Sequence, residues 1–178
     1  MGNDNVQAGS LATQHLIELG HERIAFINGY HGNPASSDRL KGHHQALAAA
    51  GISFHKELIV GDGFEFENGR DAVRELLKAK RSFTALVASS DVAALGAIQE
   101  LGRVGLSVPN DISVVGCGNL DISSMTTPSM TTVDQKPLEL GRKAMELLIS
   151  HIEGTAKSAK KVLVKPAFTV RDSTKRRA

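Results

Sequence analysis

The chain has few of the residues that would tie it to a disulfide framework, a membrane or a nucleic acid. Cys117 is its single cysteine, which excludes an intramolecular disulfide and fits a reducing compartment, hence the cytoplasm. Tryptophan is absent and tyrosine occurs once, so the aromatic platforms on which single-stranded bases stack are not there. Lys and Arg number 21 against 19 Asp and Glu, a formal charge of +2. Part of that excess falls in the terminal TKRRA, which leaves no basic stripe of the kind a structured DNA-reading face carries. No apolar run approaches the ~18 residues of a membrane span, and no charged, apolar and cleavable succession opens the chain. The expectation is a soluble protein that is not secreted.

What is present suits one sizeable α/β body. A chain of 178 residues that is 41% hydrophobic can bury roughly 70% of the surface its unfolded form exposes. Helical spacing of Leu11, Ala12, Leu16 and Leu19 ends at Gly20, and the strand RIAFING follows. SSDRLKGHHQALAAAG, with Ser36, Ser37 or Asp38 able to cap it, precedes a short strand at ELIVG. NGRDAVRELLKA, TALVAS, SDVAALGAIQELGRVG and DISVVG then alternate helix and strand. Helices alternating with short Val/Ile/Leu strands predict a three-layer fold, a parallel sheet covered on both faces. After Gly116 the pattern changes. A polar stretch leads to the short strand MTTV, a long helix from Pro137 to Glu153, a polar connector and one last strand, VLVKPAFTV.

The stretch SVVGCGNLD concentrates the chemical question. A dinucleotide turn needs three glycines and a helix directly after them; GCGNLDIS supplies two glycines and no clear helix. A nucleophilic Cys117 needs a base, and nothing in the spacing of His21, His31, His43, His44, His55 and His151 selects one. His43 and His44 are adjacent on a helix and point apart, so a shared metal is not expected, nor is a cofactor. The third reading is a cleft rim. In open parallel sheets ligands bind beyond the carboxyl ends of the strands, here Asn28-Gly29, Gly61 to Phe64, Ser89 to Asp91 and Gly116 to Asn119. All are small, glycine-rich or polar, as suits a polar ligand.

Taken in order, DNVQAGSLATQHLIELGHERIAFING, SSDRLKGHHQAL, VASSDVAALGAIQELGRVGLSVPNDISVVG, PSMTTVDQKPLELGRKAMELLISHIEG and VRDST resemble the effector-sensing core of the LacI/GalR (lactose-repressor) family of transcriptional regulators. The likeness covers almost the whole chain, and HLIELGHERIAFI and GLSVPNDISVVG are its most specific pieces. It implies a type I periplasmic-binding-protein-like lobe that binds a sugar-like effector against a second lobe and performs no catalysis. It further implies a C-terminal lobe at residues 3–135, a helix at 136–153 belonging to the N-terminal lobe, a connector and returning strand at 154–174, and a basic tail at 175–178.

By the same resemblance Arg39 matches the arginine that grips effector oxygens, and Phe64 the aromatic that stacks on the ligand. Ser90 and Asp91 stand where many members carry Asn-Asp, and either can also cap the helix that starts there. Asp4 lies at the lobe crossover. Gly118 departs from the family, replacing a frequent ligand-binding Asp, with Asn119 as the candidate substitute. The implied partners are a carbohydrate or related polar metabolite, DNA only through a helix-turn-helix that this chain lacks, and a second copy meeting it at Leu95, Ile98 and Met125. A sugar-binding protein of a transporter and a small α/β enzyme using Cys117 are the alternatives.

Overall fold

A computed structural model describes residues 1–155 and 162–177. Its centre is a six-stranded sheet of order β3-β2-β4-β5-β6-β8. β2 (Ile24–Ile27), β4 (Ala85–Ala88) and β5 (Ser113–Gly118) lie inside it, flanked by β3 (Ile59–Val60) at one edge and β6 (Thr131–Asp134) toward the other. All these strands run parallel, in register through Phe26 with Val87 and Val87 with Val115. Every residue of β2 and β4 is buried, as strands covered on both faces require.

Side-chain alternation splits the core into two layers. Ile24, Phe26, Ala85, Val87, Val115 and Val133 meet α1 (Asn5–Glu18) and α2 (Pro34–Ala49). Ala25, Ile27, Leu86, Ala88 and Val114 meet α3 (Phe66–Lys78) and α4 (Asp91–Arg103). Phe26, Leu16, Leu76, Leu86 and Leu101 are fully enclosed, each stabilising the fold by roughly 1.5–3 kcal/mol.

Local chemistry explains where the helices start. The Asp4 carboxylate accepts the Gln7 amide at 2.9 Å and opens α1. α2 begins earlier than its serines suggest, because Asn33 accepts the Ala35 amide at 2.9 Å and Pro34 takes the first helical position. Ser90 caps α4, accepting from Ala93 at 3.0 Å.

The C-terminal third departs from the sequence expectation in three places. The polar stretch after β5 contains a short helix, α5 (Asp121–Met125). The single last strand is two, because Lys165-Pro166 interrupts it. β7 (Leu163–Val164) pairs with β1 (Gly2–Asn3) in a separate two-stranded sheet, and β8 (Ala167–Thr169) joins the main sheet antiparallel to β6. The sheet is therefore mixed, with its one antiparallel strand at the edge. Part of the expected connector, residues 156–161, lies outside the described residues. α6 (Pro137–Ile152) has no buried residue, and Leu138, Met145, Leu148, Ile149 and Ile152 on it are exposed. No helix among the described residues is long and apolar enough to cross a membrane.

Candidate functional site

The carboxyl ends of the strands form a polar rim, and Arg39 and Phe64 meet on it. Arg39 reaches up from α2 and donates its Nε to Asn5 Oδ1 at 3.0 Å and its Nη1 to the Ser89 carbonyl. Its guanidinium carbon stands 5.8 Å from the Phe64 ring centroid, within reach of a cation–π contact. Phe64 rides on the loop after β3, which Asn68 laces down. That side chain accepts the Asp62 amide at 2.8 Å and donates to the Gly63 carbonyl at 2.6 Å. The Ser90 hydroxyl donates to the Phe64 carbonyl at 2.5 Å while capping α4. Gly29 lies under the ring, where a Cβ would collide with it.

Asp91 is placed elsewhere, with its side chain fully buried. One oxygen accepts the Thr132 hydroxyl and the other the Leu120 amide at 2.8 Å. Burial pushes its carboxyl above the usual range, against the hydrogen bonds from Thr132 and Leu120 that pull it down. It pins α4, β6 and the loop after β5 together from beneath. This accounts for the glycine beside Cys117, since a Cβ on Gly116 would strike the Asp91 carboxylate and the Met130 sulfur. Gly118, with φ 141°, adopts a backbone that side chains rarely allow.

Asn119 stands on the rim, but its Oδ1 accepts Arg171 Nη2 at 2.8 Å. Asp4 sits beside the same edge, occupied by its cap. The expected self-association positions differ in exposure. Leu95 and Ile98 are half-buried against the core, and Met125 is 73% exposed at the end of α5.

Cys117 is buried, and its sulfur accepts Gln135 Nε2 at 3.2 Å. Burial raises the thiol above its ordinary range, with Arg39 and Gln135 only partly opposing that. A protonated, enclosed thiol is a poor nucleophile. No group of His, Cys, Asp and Glu suited to a metal occurs among the described residues.

Unmet polar groups gather at the same edge. Seven buried side-chain atoms lack a hydrogen-bond partner among the described residues, and six of them belong to Asn3, Gln7, Asn28, Ser36, Ser89 and Gln135. These residues lie on the crossover strand β1, on the first turns of α1 and α2, and just past β2, β4 and β6. The seventh is His43 Nε2, in the α1/α2 interface. Sequence reasoning passed over Asn5, whose contact with Arg39 is 34 positions away, and Asn68, which ties its loop to Asp62, Gly63 and the Asn28 carbonyl. Asn28 and Ser89 carried a usable signal, being the first polar residues after β2 and β4.

Residues 13–174 match the periplasmic binding protein-like domain. The chain belongs to that family. The periplasmic-binding-protein-like core found here is one that LacI-family regulators share. It is similar to the HTH-type transcriptional repressor CytR of Escherichia coli (strain K12), 37% identical over 172 residues, covering 97% of this chain and 50% of that protein. Among solved structures it is similar to the transcriptional regulator CelR–cellobiose complex, with a TM-score of 0.92, 36% identity, and coverage of 96% of this chain and 52% of the other. It is also similar to a LacI family transcriptional regulator from Enterococcus faecium with bound ribose, with a TM-score of 0.89, 29% identity, and coverage of 99% and 65%. The chain spans about half the length of the curated relatives it matches. Those relatives are transcriptional regulators rather than enzymes.

Proposed function

We propose that this chain is the effector-sensing and self-associating part of a LacI-type transcriptional repressor, acting by binding and not by catalysis. The rim is one wall of a cleft for a polar, carbohydrate-like small molecule. Arg39 holds ligand oxygens, Phe64 stacks on an apolar ring face, and Ser90 with Asn119 borders the site. Asp91 and Gly118 shape the rim from below, and Asp4 fixes the helix that carries Asn5 and Gln7.

The observation that carries this reading is the meeting of Arg39 and Phe64, 5.8 Å from guanidinium carbon to ring centroid, on the edge beyond the carboxyl ends of the parallel strands, where open sheets of this kind bind ligands. The CelR and Enterococcus structures carry cellobiose and ribose, which makes these two sugars the probes of choice.

In this reading α6 belongs to the opposing lobe, DNA is read by a helix-turn-helix outside the residues of this chain, and a second copy meets Leu95, Ile98 and Met125. Effector binding would bias an open–closed equilibrium by its differential affinity for the two states. Calorimetry with cellobiose and ribose tests the site. Arg39→Ala lowers the affinity of whichever sugar binds by roughly tenfold or more, the loss expected of a charged hydrogen-bond donor. Unchanged affinity overturns the assignment.

A further inference from the structure

Tyr30 and Glu65 form a small construction beside Phe64 that the fold does not need. Both side chains are exposed, Tyr30 at 47%, and neither belongs to a core layer. Yet their polar groups are spent on each other and on one neighbour. Tyr30 Oη donates to Glu65 Oε1 at 2.5 Å, and Glu65 Oε2 accepts the Phe64 amide at 2.9 Å. The Tyr30 ring meets the Phe64 ring edge-on, with centroids 5.6 Å apart and planes at 81°, a favourable aromatic geometry.

Phe64 is thereby fixed at its amide, its carbonyl and parts of its ring. Its amide is fixed by Glu65, its carbonyl by Ser90, and its ring by Tyr30 at one edge, Arg39 on one side and the bare backbone of Gly29 below. It needs such holding, because its loop leaves a strand only two residues long at the edge of the sheet. Unsupported, the ring would rotate freely and lose ordering entropy on binding.

We propose that Tyr30 is a positioning residue, forming with Glu65 a latch that presets the Phe64 ring as the stacking wall of the effector site. This rests on the reading of the rim as that site. The charges fit a neutral phenol donating to a carboxylate. The hydrogen bond to Glu65 raises the Tyr30 phenol above its ordinary value, and the same bond holds the Glu65 carboxyl below its own. Asp62, the other acid facing Tyr30, adds to the upward shift.

The chain provides its own probe, since it has one tyrosine and no tryptophan. Alkaline titration followed by near-ultraviolet absorbance therefore reads Tyr30 alone. The latch predicts that Glu65→Gln moves that titration down toward the ordinary tyrosine value; an unmoved titration overturns it.

Binding separates the latch from the site. Cellobiose and ribose are titrated into the whole chain while the Phe64 and Arg39 resonances are followed. Tyr30→Ala lowers the affinity of the sugar that shifts them by roughly two- to tenfold, the worth of an aromatic pair, and Tyr30→Phe recovers part of the loss by restoring the ring. Thermal unfolding is unchanged in both variants, as a role confined to the rim requires. Sugar binding that disappears in Arg39→Ala but is untouched in Tyr30→Ala overturns the latch and leaves the site standing. Failure of both sugars to move any rim resonance overturns the site reading and the latch with it.

Discussion

The two faces of the sheet are covered by helix pairs that use one backbone solution and opposite polar chemistry. On the first face Gly9 lies against the Arg39 carbonyl and Gly42 against the Val6 carbonyl. On the second, Gly69 lies against the Ala93 carbonyl and Gly96 against the Phe66 carbonyl. In each pair the glycines are reciprocal, so the helix backbones touch and a Cβ on any of the four would enter the other main chain. What is inserted beside the crossing differs.

The first pair encloses His43, fully buried, with Nδ1 at 2.8 Å from the Thr13 hydroxyl and its ring against Phe26. Thr13 donates its own proton to the Gly9 carbonyl at 2.8 Å, so Nδ1 carries the imidazole proton. The second pair surrounds the carboxylate of Glu100 with Arg74 at 3.0 Å, Arg103 at 2.6 Å and Arg70 at 3.4 Å. Close helix contact thus tolerates either a neutral ring or a compensated charge, provided each protonation state is settled by its neighbours. Desolvation lowers His43 to about 4, and hydrogen bonds from Arg103 and then Arg74 lower Glu100 to about 2.

Breaking the crossings gives the largest effect. Gly42→Val and Gly69→Val should each cost about 3 kcal/mol or more, since the obstructing atoms are backbone and cannot repack. Urea unfolding checks this, and a strongly unequal pair of losses would show that the two crossings are not equivalent.

Acid separates the pairs next. The folded pKa of His43 lies below its unfolded 6.5, so the unfolded state binds the proton first. Stability is complete above pH 6.5 and falls as the pH drops toward 4, by about 3 kcal/mol. Glu100 also has a depressed pKa, but its contribution is present above its unfolded 4.5 and is lost only as the pH falls toward 2. Urea unfolding at pH 7 and near pH 4.5, run on the native chain and on His43→Gln, isolates the first effect. Equal acid loss in both proteins would remove His43 as its source.

The smallest effect is expected where nothing is packed. Leu148→Ser and Ile152→Ser on α6 should shift the chain's stability by less than about 0.5 kcal/mol. A larger loss would mean that these side chains find a partner.

Much of this was legible in the sequence, for identifiable reasons. Helix and strand alternate because Leu16, Leu47, Leu76 and Leu101 recur against runs such as IAFI and ALVA, and Gly20, with φ 87°, ends α1 as its position suggests. The apolar breadth of α6 was visible at Leu147, Leu148 and Ile149, a face that asks for burial; that it has no buried residue was not. Arg39 and Phe64 were nameable by resemblance alone, and the structure places them together.

The rest depends on distance in sequence. Nothing near Asp91 announces that Thr132 and the Leu120 amide will enclose it, and nothing near Tyr30 points to Glu65. The break at Pro166 was readable from its missing amide. The antiparallel direction of β8 was not, because it follows from where the chain re-enters the sheet.

That re-entry has a topological meaning. β6 and β8 are direct neighbours, with Asp134 opposite Ala167 and Val133 opposite Phe168. To the sheet they are the two arms of a hairpin, and among the described residues α6 and β7 lie between them. α6 is thus a detour hung from a closed joint, whose two feet the sheet clamps side by side.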